Sequence, residues 1–134
     1  MDAEYAVQLI VPAQPVSARL ARLVAAGVAA DANFTIDDTE DLRVAVSELV
    51  ALLVEGAEDP DEQITLTYRR GEDEVEVSGQ RPLPTNSADP ANHDGAVPDD
   101  LALEILRVVV DDHQFEHDAS GRRFRLVKRA RANA

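Results

Sequence analysis

The segment Asp41-Leu42-Arg43-Val44-Ala45-Val46-Ser47-Glu48-Leu49-Val50-Ala51-Leu52-Leu53-Val54-Glu55-Gly56-Ala57 holds no proline and is mostly apolar until Gly56. It is long enough for about four helical turns. Leu42, Ala45, Val46, Leu49 and Leu53 fall at helical spacing and make one apolar stripe. Asp37 and Glu40, three residues apart just upstream, suit a capping box at the helix start, and Gly56 suits its end. From Leu49 to Val54 the helix is apolar all round, which predicts burial on more than one side, between a sheet and another helix. Glu48 stands out in that setting. A carboxylate on a nearly buried helix must be paired, solvated or protonated, so Glu48 either snorkels at the helix edge or faces a pocket.

Working outward, residues 4–11 alternate: Val7, Leu9 and Val11 share one face and Ala6, Gln8 and Ile10 the other, a strand stopped by Pro12 and Pro15. From Pro15 to about Ala30, the residues Val16, Leu20, Leu23, Val24 and Val28 predict the buried stripe of a helix, with Arg19 and Arg22 on its more polar side. Beyond the central helix, Ile64, Leu66 and Tyr68, then Val75 and Val77, alternate with polar residues around the turn Arg70-Gly71-Glu72-Asp73, the pattern of a hairpin. Residues 80–98 are rich in proline and polar residues and lack periodicity. A helix is expected over Asp99 to Asp112, capped by Asp99 or Asp100, with Leu101, Ile105, Val108 and Val109 buried. The chain then reads as a second hairpin, in which Phe124, Leu126 and Lys128 share one face and Arg123, Arg125, Val127 and Arg129 the other.

Composition removes several function classes. The 134 residues fit a single domain over 1–134 with a sizeable core, and no internal repeat or linker is visible. There is no cysteine for a disulfide or a thiolate metal site. The first residues lack the basic start of a signal peptide, and no apolar run approaches the ~20 residues of a membrane span, so a cytoplasmic protein is expected. A formal net charge of −13 argues against a direct nucleic-acid partner or an anionic membrane. The charge is segregated: positions 1–118 carry all 26 acidic residues, and positions 119–134 carry 6 basic ones and no acid. No catalytic triad, P-loop or zinc motif appears. His113 and His117 are too far apart on an extended strand to share a metal. Asp111-Asp112 sits at the wrong end of a helix dipole for anion chemistry.

Asp41 to Glu48 resembles the first half of the N-box of bacterial anti-sigma-factor serine kinases, which belong to the histidine-kinase-like ATPase superfamily with the Bergerat fold. Leu103 to Asp112 resembles the last helix of that family, and the order of elements agrees over roughly residues 5–130. The resemblance implies an α/β (α+β) two-layer sandwich, with a mixed, largely antiparallel sheet and three helices on one face. It also implies a general base at Glu48, followed four residues later by an Asn that ligates the magnesium of ATP. Residues at i and i+4 stack on one helix face, so both can reach the same phosphates. Here the second position is Leu52. Where the family binds adenine with an Asp and, two residues later, a Gly, this chain has Gly79 and Arg81. The glycines that open the last helix correspond to Asp100 and Ala102, and an aspartate there would repel phosphates. The loop at about 80–98 stands where the family has its ATP lid, with a lone Gly95. The family's first helix takes part in partner contacts, which makes Arg19 and Arg22 candidate partner-binding residues.

Three functions follow. The first is an anti-sigma-factor-like regulator that binds a sigma factor and/or an anti-anti-sigma protein without ATP, hence a pseudokinase with no cofactor. The second is an active ATP- and magnesium-dependent serine kinase with an altered pocket. The third is a generic acidic interaction module. The family resemblance also implies a homodimer.

Overall fold

The computed structural model describes residues 4–82 and 100–131. The lid-like segment from residue 83 to 98, with Gly95, and the capping role of Asp99 lie outside the described residues. Elements follow in the order β1 (Tyr5–Pro12), α1 (Ser17–Ala30), α2 (Ile36–Val54), β2 (Gln63–Gly71), β3 (Glu74–Pro82), α3 (Asp100–Val109), β4 (Asp112–Asp118) and β5 (Gly121–Arg129). The strands form one sheet in the order β1-β2-β3-β5-β4. All four ladders are antiparallel, so the sheet carries no parallel pair among the described residues.

Strand alternation decides what faces the helices. Val11, Ile64, Leu66, Tyr68, Val75, Val77, Phe124 and Leu126 all turn inward and are buried. The same phase continues to the strand ends, where it places four cations on the helix side: Arg70, Arg81, Arg122 and Lys128, each at most 8% exposed. Gln8, Thr67, Ser78 and Arg125 belong to the opposite, open face. Helix α1 packs on β1, β2 and β3, and α2 packs on β3 and β5. The Tyr68 hydroxyl crosses the layers and donates to the carbonyl of Ala21 at 2.9 Å.

Helix α2 is the central element, and its whole predicted stripe (Leu42, Ala45, Val46, Leu49, Leu53) is fully buried, together with Val50. It begins at Ile36, six residues before the first residue of the stripe. The capping box is formed by Thr35 and Asp38, not Asp37 and Glu40. The Thr35 hydroxyl accepts the Asp38 N–H at 3.0 Å, and the Asp38 carboxylate accepts the Thr35 N–H at 3.1 Å. Thr35 can cap because its backbone is extended (ψ 171°), outside the helix. At the other end Gly56 adopts φ +76°, the left-handed position expected after a helix, and the Ala57 N–H returns to the carbonyl of Val54 at 3.1 Å.

Two predicted stripes are corrected. Helix α1 buries Ser17, Ala21, Ala25, Val28 and Ala29, while Val16, Leu20 and Leu23 are 59%, 49% and 69% exposed. Both stripes have helical period. The alanine side wins because small residues let α1 approach α2 and the sheet closely, where branched ones would hold it off. Helix α3 buries Ala102 and Leu106, leaves Ile105 and Val109 half-buried, and exposes Leu101 and Val108. It ends at Val109, and β4 takes over at Asp112.

Candidate functional site

The family positions fall on three elements: Glu48 and Leu52 on α2, Gly79 and Arg81 on β3, and Asp100 and Ala102 on α3. The structure gathers Leu52 and Arg81 at the C-terminal end of α2, together with Arg122, a residue the sequence pattern did not single out. Arg122 faces Arg81 across the β3–β5 ladder. The Arg81 guanidinium donates to the carbonyl of Val54 at 3.3 Å. Arg122 donates to the carbonyl of Leu52 at 3.0 Å and to that of Glu55.

The last carbonyls of a helix have no partner within it and carry the negative end of its dipole. Two guanidinium groups meet them here. Burial lowers the pKa of both arginines; the charge of Arg81 lowers Arg122 further, and the Glu55 and Glu62 carboxylates partly offset these effects. An arginine pays little in ionisation for this setting, because its ordinary pKa lies so far above neutrality. The Nε atoms of both have no hydrogen-bond partner among the described residues. The volume beneath the end of α2, where the resemblance places a glycine against the adenine, is thus occupied by the chain's own side chains.

Gly79 completes that occupancy from the sheet. A Cβ added to it would stand 2.6 Å from Leu66 Cδ2 and 2.6 Å from Phe124 Cε2, closer than carbon atoms approach without displacement. The Leu66 and Phe124 side chains close over this position, so a larger residue fits there only if they shift. Glu48 is half-buried and makes no hydrogen bond or ion pair among the described residues. Leu52 is half-buried against the core. Asp100 is exposed in the first turn of α3, and Ala102 is buried. Among the described residues no group of three His, Cys, Asp or Glu side chains stands close enough to hold a metal, and no helix is long and apolar enough to cross a membrane.

The N-terminal end of α2 is held by the same strand. Lys128 contacts the Asp41 carboxylate at 3.4 Å, and Arg131 reaches Asp41 at 3.0 Å and Asp38 at 3.4 Å. Burial would raise the pKa of Asp38, but the N–H groups of Arg131 and Thr35, the Thr35 hydroxyl and the Lys128 charge outweigh it and hold the carboxyl below its usual value. The last strand therefore grips α2 at both ends, by cations on carbonyls at one and on carboxylates at the other.

A second feature lies on α1. Val16, Leu20 and Leu23 form an exposed apolar ridge, bordered by Arg19, Arg22 and Arg43. Arg22 donates to the Ser47 hydroxyl at 2.9 Å and Arg43 pairs with Glu40 at 2.6 Å. Arg19 is exposed and has no partner among the described residues. Arg19 and Arg22 thus share the same border of the ridge, but only Arg19 is uncommitted. The burial phase of β3 and β5 was a signal that could have found Arg122: counting in twos from Val77 reaches Arg81, and from Leu126 reaches Arg122.

Comparison with known proteins gives one family and a consistent set of relatives. The model of the histidine kinase-like ATPase domain matches residues 11–128. The serine-protein kinase RsbW of Bacillus subtilis (strain 168) is 37% identical over 78 residues, 57% of this chain and 48% of that protein. The Listeria innocua protein of the same name is 38% identical over 73 residues, 53% of this chain and 46% of its own length. A Bacillus cereus (strain B4264) serine-protein kinase RsbW is 28% identical over 127 residues, 84% of this chain and 78% of that protein. The chain spans about half the length of the first two.

Proposed function

Because the chain belongs to the histidine kinase-like ATPase domain family, we propose that it is an anti-sigma-factor-like regulator that holds a sigma factor and/or an anti-anti-sigma protein by protein contacts, without ATP. One observation carries the second half of this reading: Arg81 and Arg122 lie buried under the end of α2 and donate to its carbonyls. A nucleotide at that place would have to displace two guanidinium groups from hydrogen-bonded positions. It would also find Leu52 in place of an oxygen ligand for magnesium, which demands near-octahedral oxygen coordination. Partner binding is assigned to the α1 ridge, with apolar contact from Val16, Leu20 and Leu23 and orientation from Arg19 and Arg22. In this reading the protein is a homodimer through the outer side of β1 or α1; light scattering that returns the monomer mass would remove that element.

One observation favours the kinase alternative. Glu48 stands at the position that the resemblance gives to the general base, and it makes no hydrogen bond or ion pair among the described residues. A base without a positioned phosphoryl group has nothing to catalyse, however, and the missing contacts are those that position it. The proposal is tested by capturing the sigma factors and anti-anti-sigma proteins of the source cell on the purified chain, then following association in rising salt. A protein at −13 is expected to meet a basic patch, so salt should slow association more than it speeds dissociation. No sigma factor and no antagonist bound at any salt would leave only the generic interaction module.

A further inference from the structure

We infer that the outer face of α3 is a second docking surface, for a partner helix that is apolar on one side and basic beside it. Leu101, Ile105 and Val108 stand at i, i+4 and i+7, which places them in one line along the helix. Leu101 and Val108 are 70% and 75% exposed, and Ile105 is half-buried. Single exposed apolar residues are ordinary on protein surfaces, but a line of three on a ten-residue helix is a patch. The same helix turns only Ala102 and Leu106 fully inward.

The charge beside the ridge defines what fits it. On a helical projection Glu104 and Asp100 lie along one flank of the line from Leu101 to Val108. The helix's only cation, Arg107, lies beyond Glu104 and pairs with it at 3.2 Å. A docking helix would therefore bury its own apolar stripe on Leu101, Ile105 and Val108 and set Lys or Arg against Asp100 and Glu104. An acidic partner would bring like charges together. The α1 ridge has the opposite border, of Arg19, Arg22 and Arg43. Helix α2 packs against both α1 and α3 and stands between them. The two ridges thus differ in the charge beside them and do not compete for one place. This surface does not depend on the function assigned to α1.

The test uses two labelled amphipathic peptides of about 18 residues, five helical turns, one of leucine and lysine and one of leucine and glutamate. Binding to the full chain is followed by fluorescence anisotropy for the unaltered protein and for three variants. These are Leu101→Ser with Val108→Ser, Glu104→Lys, and Leu20→Ser with Leu23→Ser. The leucine–lysine peptide should bind the unaltered chain, weaken about tenfold or more with the α3 pair and with Glu104→Lys, and be unchanged by the α1 pair. The leucine–glutamate peptide should be insensitive to the α3 pair. The altered side chains face solvent, and circular dichroism establishes that each variant is folded. Failure of the leucine–lysine peptide to bind, equal binding to the α3 variants, or equal loss in the α1 pair would each overturn the inference. Failure of sigma-factor capture alone would instead strike the α1 reading and leave this result standing.

Discussion

Arg122 is the residue on which the site turns. Its guanidinium meets the carbonyls of Leu52 and Glu55, and Arg81 beside it meets that of Val54. Hydrogen bonds to a charged group are worth about 1.5–3 kcal/mol each, and a helix end buried without donors loses them outright. Arg122→Ala should therefore lower unfolding stability by about 2–3 kcal/mol in urea titration, with Arg122→Lys recovering part of the loss, because one terminal nitrogen, Nη1, makes both contacts and an ammonium can also donate to two carbonyls. Equal stability of the alanine variant would mean that the contacts are idle. At the opposite end Asp38 has a depressed pKa in the folded chain. Its contribution is complete above the carboxylate's unfolded value near 3.9 and disappears as pH falls through the folded value. The stability gap between the unaltered chain and Asp38→Asn should be constant from pH 7 to about 5 and shrink below about 4. A gap that widened on acidification would contradict the assigned protonation.

At the scale of elements, the sequence pattern located every described helix and strand but misjudged part of the buried side of two helices. Val28 is buried and Val24, Ile105 and Val109 are half-buried as expected, while Val16, Leu20, Leu23, Leu101 and Val108 face solvent. In α1 and α3 the apolar residues fill more than one face, and period alone does not rank a face of alanines against a face of leucines. Contact geometry makes that choice, since Ala21, Ala25 and Ala29 allow closer approach than Leu20 and Leu23. The capping box forms at Thr35–Asp38 and not at Asp37–Glu40, because Asp38 fills the third position where Glu is the usual partner. Strand phase was more legible: Phe124, Leu126 and Lys128 share one buried face, although Val127 on the other face is buried as well. The ridge on α1 yields a prediction of its own. Leu20→Ser with Leu23→Ser should change stability by no more than about 0.5 kcal/mol, since both side chains face solvent. The same pair should abolish capture of the sigma factor or its antagonist. Retained capture would move the partner site off α1.

For the whole molecule, the family could be read from eight residues of α2 and the order of elements, whereas the state of the pocket could not. The sequence shows that Leu52, Gly79, Arg81, Asp100 and Ala102 depart from the family pattern. Only the packing shows that Arg81 and Arg122 occupy the space below α2 and that Leu66 and Phe124 close over Gly79. Both are contacts between residues far apart in the chain, which local pattern does not encode. The central proposal concerns that space: with Arg81 and Arg122 in it, Mg-ATP is not expected to bind there. Isothermal titration of the full chain with Mg-ATP, paired with a phosphotransfer assay on candidate anti-anti-sigma proteins, tests it most directly. No binding heat at micromolar nucleotide and no phosphate transfer are the predicted results, with Glu48→Gln binding its protein partner as well as the unaltered chain does. Micromolar affinity for Mg-ATP, or phosphate transfer that Glu48→Gln abolishes, would contradict the account and establish the chain as a working kinase.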